Sequence, residues 1–331
     1  MLRTALASML VVLALAPAPA AAQNVHLLVV VGLAGDPEHG ELFDRWAGTL
    51  VDGSARLGVS RDRIIYLSDR PERDAKRING KATRAEIAGA FAKLAATAAP
   101  DDVVFVVLIG NGTYADRTAK FNLPGPDMTP ADFAPLLGKL SSKHVVFVDT
   151  TPSSAPFLNE LAAPGRTIVT ATRTAAEKFA TLFGGYFIDA LTGDTADADK
   201  NHRISVLEAF NAAKAEVVRA YEREGIMLTE HPLLDDAGER EGSAEPSADG
   251  TIGRLASVVS LGTAESAEPL PADPRLRALH VERRDLERRV EALKLLKGSI
   301  DQARYESALE KLLTDLALKS RQIRDLGGRE P

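Results

Sequence analysis

The chain has 331 residues, 45% of them hydrophobic and 26% charged, an ordinary globular composition that excludes wholesale disorder and leaves room for one large or two modest domains. Forty Lys and Arg against 46 Asp and Glu give a net charge of -6, so there is no general affinity for nucleic acid or anionic lipid. The absence of cysteine excludes disulfides, thiolate metal sites, a lipidated cysteine behind a signal sequence and a cysteine nucleophile.

Residues 1 to 22 open with Met1-Leu2-Arg3, run through the apolar stretch Ala5 to Ala16 and end in Ala20-Ala21-Ala22 before Gln23. A charged start, a short apolar run and a small-residue end predict a secretory signal peptide cleaved after Ala22. The run is shorter than the roughly 20 residues that cross a bilayer, and Pro17 and Pro19 break it. No later segment is long and apolar enough to span, so a periplasmic or secreted protein is expected.

From Val25, short β-branched runs alternate with helix-length segments. Strands are predicted near Val25-Leu33, Arg63-Ser68, Val103-Ile109, His144-Asp149 and Arg166-Ala171. Near-continuous apolar character implies strands covered on both faces, the pattern of a parallel sheet between helices. Thr83-Arg84-Ala85-Glu86 has capping-box spacing before Ile87, Phe91 and Leu94, and Thr129-Pro130 places a capping hydroxyl before a first-turn proline. Beyond Ala190 a polar, Asp-rich stretch leads to a helix over about 206 to 223. A turn-rich segment then follows, within which 236 to 249 reads as a mobile loop. The apolar run Ile252 to Leu261 is expected to return a strand to the sheet. This makes 23 to 262 one α/β domain, 263 to 274 a proline-rich linker and 275 to 331 a separate helical element. In that last part Leu276, Leu279, Leu286, Val290 and Leu293 repeat at three-four spacing, as do Tyr305, Leu309, Leu312, Leu316 and Ile323 across Gly298-Ser299. Two antiparallel helices with a coiled-coil-like seam are predicted. They either lie on their own domain or form a surface for a homodimer or another partner.

In open parallel sheets, ligands gather at the carboxyl ends of strands. Two predicted strands end there in Gly110-Asn111-Gly112-Thr113 and in Asp149-Thr150-Thr151-Pro152-Ser153-Ser154. With Ile168-Val169-Thr170-Ala171-Thr172, Phe183-Gly184-Gly185-Tyr186-Phe187 and His231-Pro232-Leu233-Leu234-Asp235-Asp236, these loops make residues 25 to 260 resemble the caspase-like fold of cysteine peptidases. The similarity is greatest to the legumain-type family and its bacterial relatives. In that family one strand ends in Gly-His-Gly, which supplies the base, and the next ends in an acidic residue, a small residue and the cysteine nucleophile. The resemblance implies a three-layer sandwich with a mainly parallel sheet. It places the base at Asn111 and the nucleophile at Thr151. Asn takes up no proton near neutral pH, and a threonine hydroxyl needs a base beside it. Both dyad positions are therefore degenerate, and a pseudopeptidase is expected. The bland reading of the Thr/Ser cluster is a polar loop that satisfies its own backbone, and that of Asn111 is a turn residue. A hydrolase rebuilt around a Thr or Ser nucleophile is the alternative, with His26 or His144 as its base, although no spacing brings a His and an acid to those hydroxyls.

Residues 197 to 208 have the spacing of an EF-hand loop. Asp197, Asp199 and Asn201 would bind calcium through side chains, Arg203 through its carbonyl, Ser205 directly or through water, and Glu208 through both carboxylate oxygens. His202 stands where the loop's sharp turn favours Gly. The competing reading is a metal-free helix start, because Ser205-Val206-Leu207-Glu208 is itself a capping box. Oxygen ligands without cysteine make zinc a poor match. The reading as a whole is an exported, non-catalytic module that binds a protein or peptide through its cleft or hairpin. Further alternatives are an active hydrolase and a structural subunit of a cell-envelope assembly.

Overall fold

The structure is a computed structural model that describes residues 23 to 262 and 270 to 327. The predicted signal peptide, residues 263 to 269 of the predicted linker and the last four residues lie outside this range. Among the described residues no helix is long and apolar enough to cross a membrane.

The chain runs β1 (Val25–Val31), α1 (Pro37–Arg56), β2 (Ile64–Ser68), β3 (Gly80–Lys81), α2 (Arg84–Thr97) and β4 (Val103–Ile109). A short antiparallel pair follows, β5 (Gly112–Ala115) and β6 (Thr118–Phe121), and then α3 (Pro130–Leu137), β7 (His144–Asp149), α4 (Ala155–Leu161) and β8 (Arg166–Thr170). The domain closes with α5 (Phe183–Thr192), α6 (Val206–Glu224) and β9 (Leu233–Asp235), and α7 (Pro274–Leu295) and α8 (Gln302–Gly327) form the end of the chain. The main sheet has the order β3-β2-β1-β4-β7-β8-β9, parallel throughout except for β9, which pairs antiparallel to β8. This is a mixed α/β architecture with a mostly parallel seven-stranded sheet flanked by helices, followed by two C-terminal helices.

Alternation along the central strands divides the interior into two cores. Leu27, Val29, Val31, Phe105, Val107 and Ile109 face α1, α5 and α6, meeting Leu50, Phe183, Phe187 and Phe210. Their neighbours Leu28, Val30, Val104, Val106 and Leu108 face α2, α3 and α4, meeting Phe91, Phe133 and Phe157. Because both faces are covered, β1 and β4 are buried along their whole length, which explains their uninterrupted apolar sequence. The helix starts follow their sequence signals. Thr83 caps α2 by accepting from the Glu86 amide, and Thr129 and Asp132 form a reciprocal capping box on α3.

Two expectations are corrected. Ile252 to Leu261 forms turns and adds no strand; its only pairing is a single bridge between Ser260 and Ser205. Its apolar residues Ala256, Val259 and Leu261 fill the core on the α6 side, so the apolar run serves packing between helices. Residues 236 to 249, expected to form a mobile loop, are tied down at their start. Asp235 Oδ1 and Oδ2 accept amides from Ala237, Gly238 and Arg240, and Asp236 accepts those of Gly253 and Ala256.

The predicted hairpin forms, with α7 spanning 22 residues. Leu286, Val290, Leu293 and Leu312 make its buried seam, with Leu309 and Leu316 packed against them. A carboxylate in that seam would lack a partner, so Leu286→Asp should unfold the hairpin at a cost of several kcal/mol. Circular dichroism would register the lost helix while the melting of the α/β core stays put. A variant that keeps its full helical signal would show that the seam does not hold the hairpin together.

Candidate functional site at the carboxyl ends of the sheet

Beyond the ends of β1, β4, β7 and β8, four segments meet around a cleft of about 350 Å³ lined by residues that include Asp36, His39, Asn111, Pro152, Lys178 and Thr181. Sequence spacing alone places the β4 and β7 loops here. Their contact depends on Gly112, where an added Cβ would lie 2.4 Å from the Pro152 carbonyl oxygen and 2.6 Å from Thr151 Oγ1. The glycine allows the two loops to touch.

Asn111 lines the cleft with Gly110. Its amide donates to the Leu33 carbonyl at 2.8 Å and its Oδ1 accepts from the Gly112 amide at 3.2 Å, so it is built into the turn. Thr151 is 1% exposed, and its hydroxyl donates to the Pro152 carbonyl at 3.2 Å. Thr150 Oγ1 donates to the Leu108 carbonyl at 2.9 Å, and Ser153 Oγ donates to the Ala175 carbonyl at 3.0 Å. Ser154 Oγ lies 3.0 Å from Thr172 Oγ1, while Thr113 stands on the exposed hairpin and accepts from Asn122 Nδ2 at 3.1 Å. Thr150, Thr151, Ser153 and Ser154 are all buried, each hydroxyl engaged in the loop. Ser153 adopts a left-handed φ of 59°, a conformation held by its amide bond to the Glu177 carbonyl.

Asp149 lies beneath this loop and is fully buried. Its Oδ1 accepts the Thr151 amide at 2.9 Å, whereas Oδ2 has no hydrogen-bond partner among the described residues. Burial pushes its carboxyl up from 3.8 to about 7, against the opposing bond from Thr151. Near neutral pH a large fraction of this group is therefore uncharged, which weakens its negative field beneath Thr151.

The cleft also holds a pair that sequence reasoning missed. Asp36 caps α1, accepting the His39 amide at 2.9 Å, and its Oδ2 lies 2.7 Å from His39 Nδ1. The capping bond to the His39 amide, ahead of the side-chain bond to the ring, holds the Asp36 carboxyl below its ordinary range. With Nδ1 turned to Asp36, Nε2 is the imidazole nitrogen left for a ligand. An Asp followed by Pro37 at the first helical position is a readable helix start. What brings it to the cleft is the placement of the β1 loop against Asn111. Thr181 joins the same lining, its hydroxyl donating to the Thr150 carbonyl at 2.6 Å. The two histidines weighed as bases lie elsewhere. His26 is buried with Nε2 3.2 Å from Asp102 Oδ2, and His144 opens β7 at the far end of the sheet.

The loop from 197 to 208 lies apart from the cleft, before α6. Asp197, Asp199 and Glu208 each offer a carboxylate oxygen, and these oxygens lie within 4.8 Å of one another. Lys200 and His202 take left-handed φ values of 61° and 64°. Asp197 Oδ1 and Oδ2 accept the amides of Asn201 and His202 at 3.1 and 3.0 Å. Asn201 Oδ1 accepts the Arg203 amide at 2.8 Å. Glu208 Oε2 closes a capping box with Ser205 at 2.8 Å and Oε1 accepts the Ala198 amide at 2.9 Å. Burial first, then the neighbouring Glu208, raises the Asp199 carboxyl. Exposed acidic groups also converge in this way in proteins that hold no ion.

The architecture and cleft define an α/β protein with a site at the ends of a parallel sheet. No protein-family model matches the chain. No curated protein matches it either. Among solved structures, the chain is similar to the crystal structure of caspase-1 from Spodoptera frugiperda, at 10% sequence identity and a TM-score of 0.39, over 64% of this chain and 86% of that one. A likeness at that level carries no argument about function.

Proposed function

We propose that this chain is an exported, catalytically inactive protein of the caspase-like, legumain-type group that binds a protein or peptide in a calcium-dependent manner. The observation that carries the reading is the chemistry of the two dyad positions. Asn111 offers no base, and the Thr151 hydroxyl is buried and committed to the Pro152 carbonyl. The uncharged form of Asp149 beneath them adds little activation. A cleft of about 350 Å³ with apolar Ala34, Phe43 and Pro152 beside polar Asn111, Lys178 and Thr181 suits part of an extended peptide. Calcium is supported by the oxygen-only donors of residues 197 to 208 and their convergence, and export by the character of residues 1 to 22.

A second reading, a hydrolase with a Thr or Ser nucleophile, is favoured by one observation. The Asp36–His39 pair has the orienter-and-base arrangement and opens on the cleft that Thr181 lines. Labelling with a fluorophosphonate and incubation with broad peptide libraries distinguish the two. The binding reading expects no labelling and no cleavage, with peptide retention weakened by substitutions at Lys178 or Asn111. Labelling of a cleft hydroxyl that disappears in His39→Ala would establish the hydrolase.

A further inference from the structure

The hairpin's apolar seam merges with neither core of the α/β domain. What joins its turn end to the domain is polar. Arg203 Nη1 donates to Glu291 Oε1 at 2.9 Å, while its Nε and Nη2 donate to Ser260 Oγ at 3.2 and 2.7 Å. Arg254 Nη1 donates to the Lys297 carbonyl, and the Lys297 ammonium pairs with Asp249.

We infer that the α7–α8 hairpin is an arm latched to the α/β domain by charge at its turn end, with Arg203 as the central bolt, and that it swings free when the latch is screened or reversed. Apolar burial would resist salt, but these pairs are open to it. The Arg203 and Glu291 side chains keep 21% and 29% of their exposure, and Asp249 keeps 87%. The Debye length falls from about 8 Å at physiological ionic strength to about 3 Å at 1 M, comparable to the contact distance, so salt weakens the exposed Lys297–Asp249 pair most and the part-buried Arg203–Glu291 pair less. The bolt also touches the acidic loop, because the Arg203 amide donates to Asn201 Oδ1 at 2.8 Å. Loop and arm are thus mechanically connected through one residue.

The absence of native cysteine makes the test clean. Ala248→Cys and Ser299→Cys, both exposed, carry a dye pair across the latch, and fluorescence transfer is followed against sodium chloride concentration. Wild-type transfer should be high at low salt and fall toward 1 M. Glu291→Arg should raise the open fraction at low salt about tenfold, the order expected when a part-buried pair becomes a like-charge contact. Arg203→Glu combined with Glu291→Arg should restore transfer. Melting of the α/β core, followed by circular dichroism, establishes that each variant folds. Transfer that stays high in 1 M salt and in Glu291→Arg would overturn the latch. Loss in Glu291→Arg that the double variant does not recover would overturn the role of Arg203.

Discussion

Asp149→Asn should stabilise the protein by on the order of 4 kcal/mol at pH 8 and have little effect near pH 3, a difference of about 10 °C in melting temperature at the alkaline end. The sign follows from linkage. In the unfolded chain this carboxyl ionises near its ordinary 3.8, whereas in the folded protein burial holds it at about 7. Between those values the unfolded state has lost a proton that the folded state keeps, so this group draws stability down as pH rises from about 4 to 7. Above 7 both states are ionised and the loss is complete. Asn keeps an acceptor for the Thr151 amide at 2.9 Å and carries no charge, so its stability should not fall through this window on account of this position. Melting curves of both proteins from pH 4 to 8 provide the measurement. Parallel curves for the two would mean that Asp149 titrates normally and that water or a partner reaches its Oδ2.

Millimolar calcium should raise the melting temperature of the wild type by several degrees relative to chelator, and Glu208→Gln should lose most of that rise. A ligand that binds only the folded state at a hundredfold excess over its Kd stabilises by about 2.7 kcal/mol. Glu208 carries the effect because its two oxygens close the loop, one on the Ser205 amide at 2.8 Å and one on the Ala198 amide at 2.9 Å. Gln removes the charge that a divalent ion needs and retains an acceptor for Ser205, so the helix start survives the substitution. Magnesium should substitute poorly because it demands tighter octahedral geometry. Melting with each ion, alongside titration calorimetry, provides the check. If calcium leaves the wild-type curve unmoved and produces no heat, residues 197 to 208 are a capped helix start and the calcium dependence fails, while the peptide-binding part of the reading stands on the cleft alone.

Much of the architecture was legible in the chain because its information is local. The runs at Val103-Ile109 and His144-Asp149 are strands with the expected limits, since a strand covered on both faces is apolar through its interior, with polar residues such as His144 and Asp149 confined to its ends. The three-four spacing after Pro274 produced the hairpin, and Thr83, Thr129 and Ser205 cap helices where their hydroxyls stand before an acidic residue at the third helical position. The acidic spacing of 197 to 208 is likewise contiguous, and one turn is enough to bring its carboxylates within 4.8 Å.

Other features depend on contacts between distant segments. The three-residue β9 has too short a pattern to read, and it becomes a strand because the edge of β8 offers it backbone partners. The run Ile252 to Leu261 looks like a strand from its composition but packs beside α6, because apolar residues are drawn to any dry surface and carry no instruction about which. Hydroxyls at 150, 151, 153 and 154 read first as a closed polar loop and only second as a reactive cluster. Burial and the carbonyls of Leu108, Pro152 and Ala175 decide for the closed loop. The Asp36–His39 pair is visible as a helix cap, yet it lies on the cleft only because β1 and β4 are neighbours in the sheet. The raised proton affinity of Asp149 belongs to the fold as well, since desolvation is a property of surroundings that the chain assembles from both sides of the sheet.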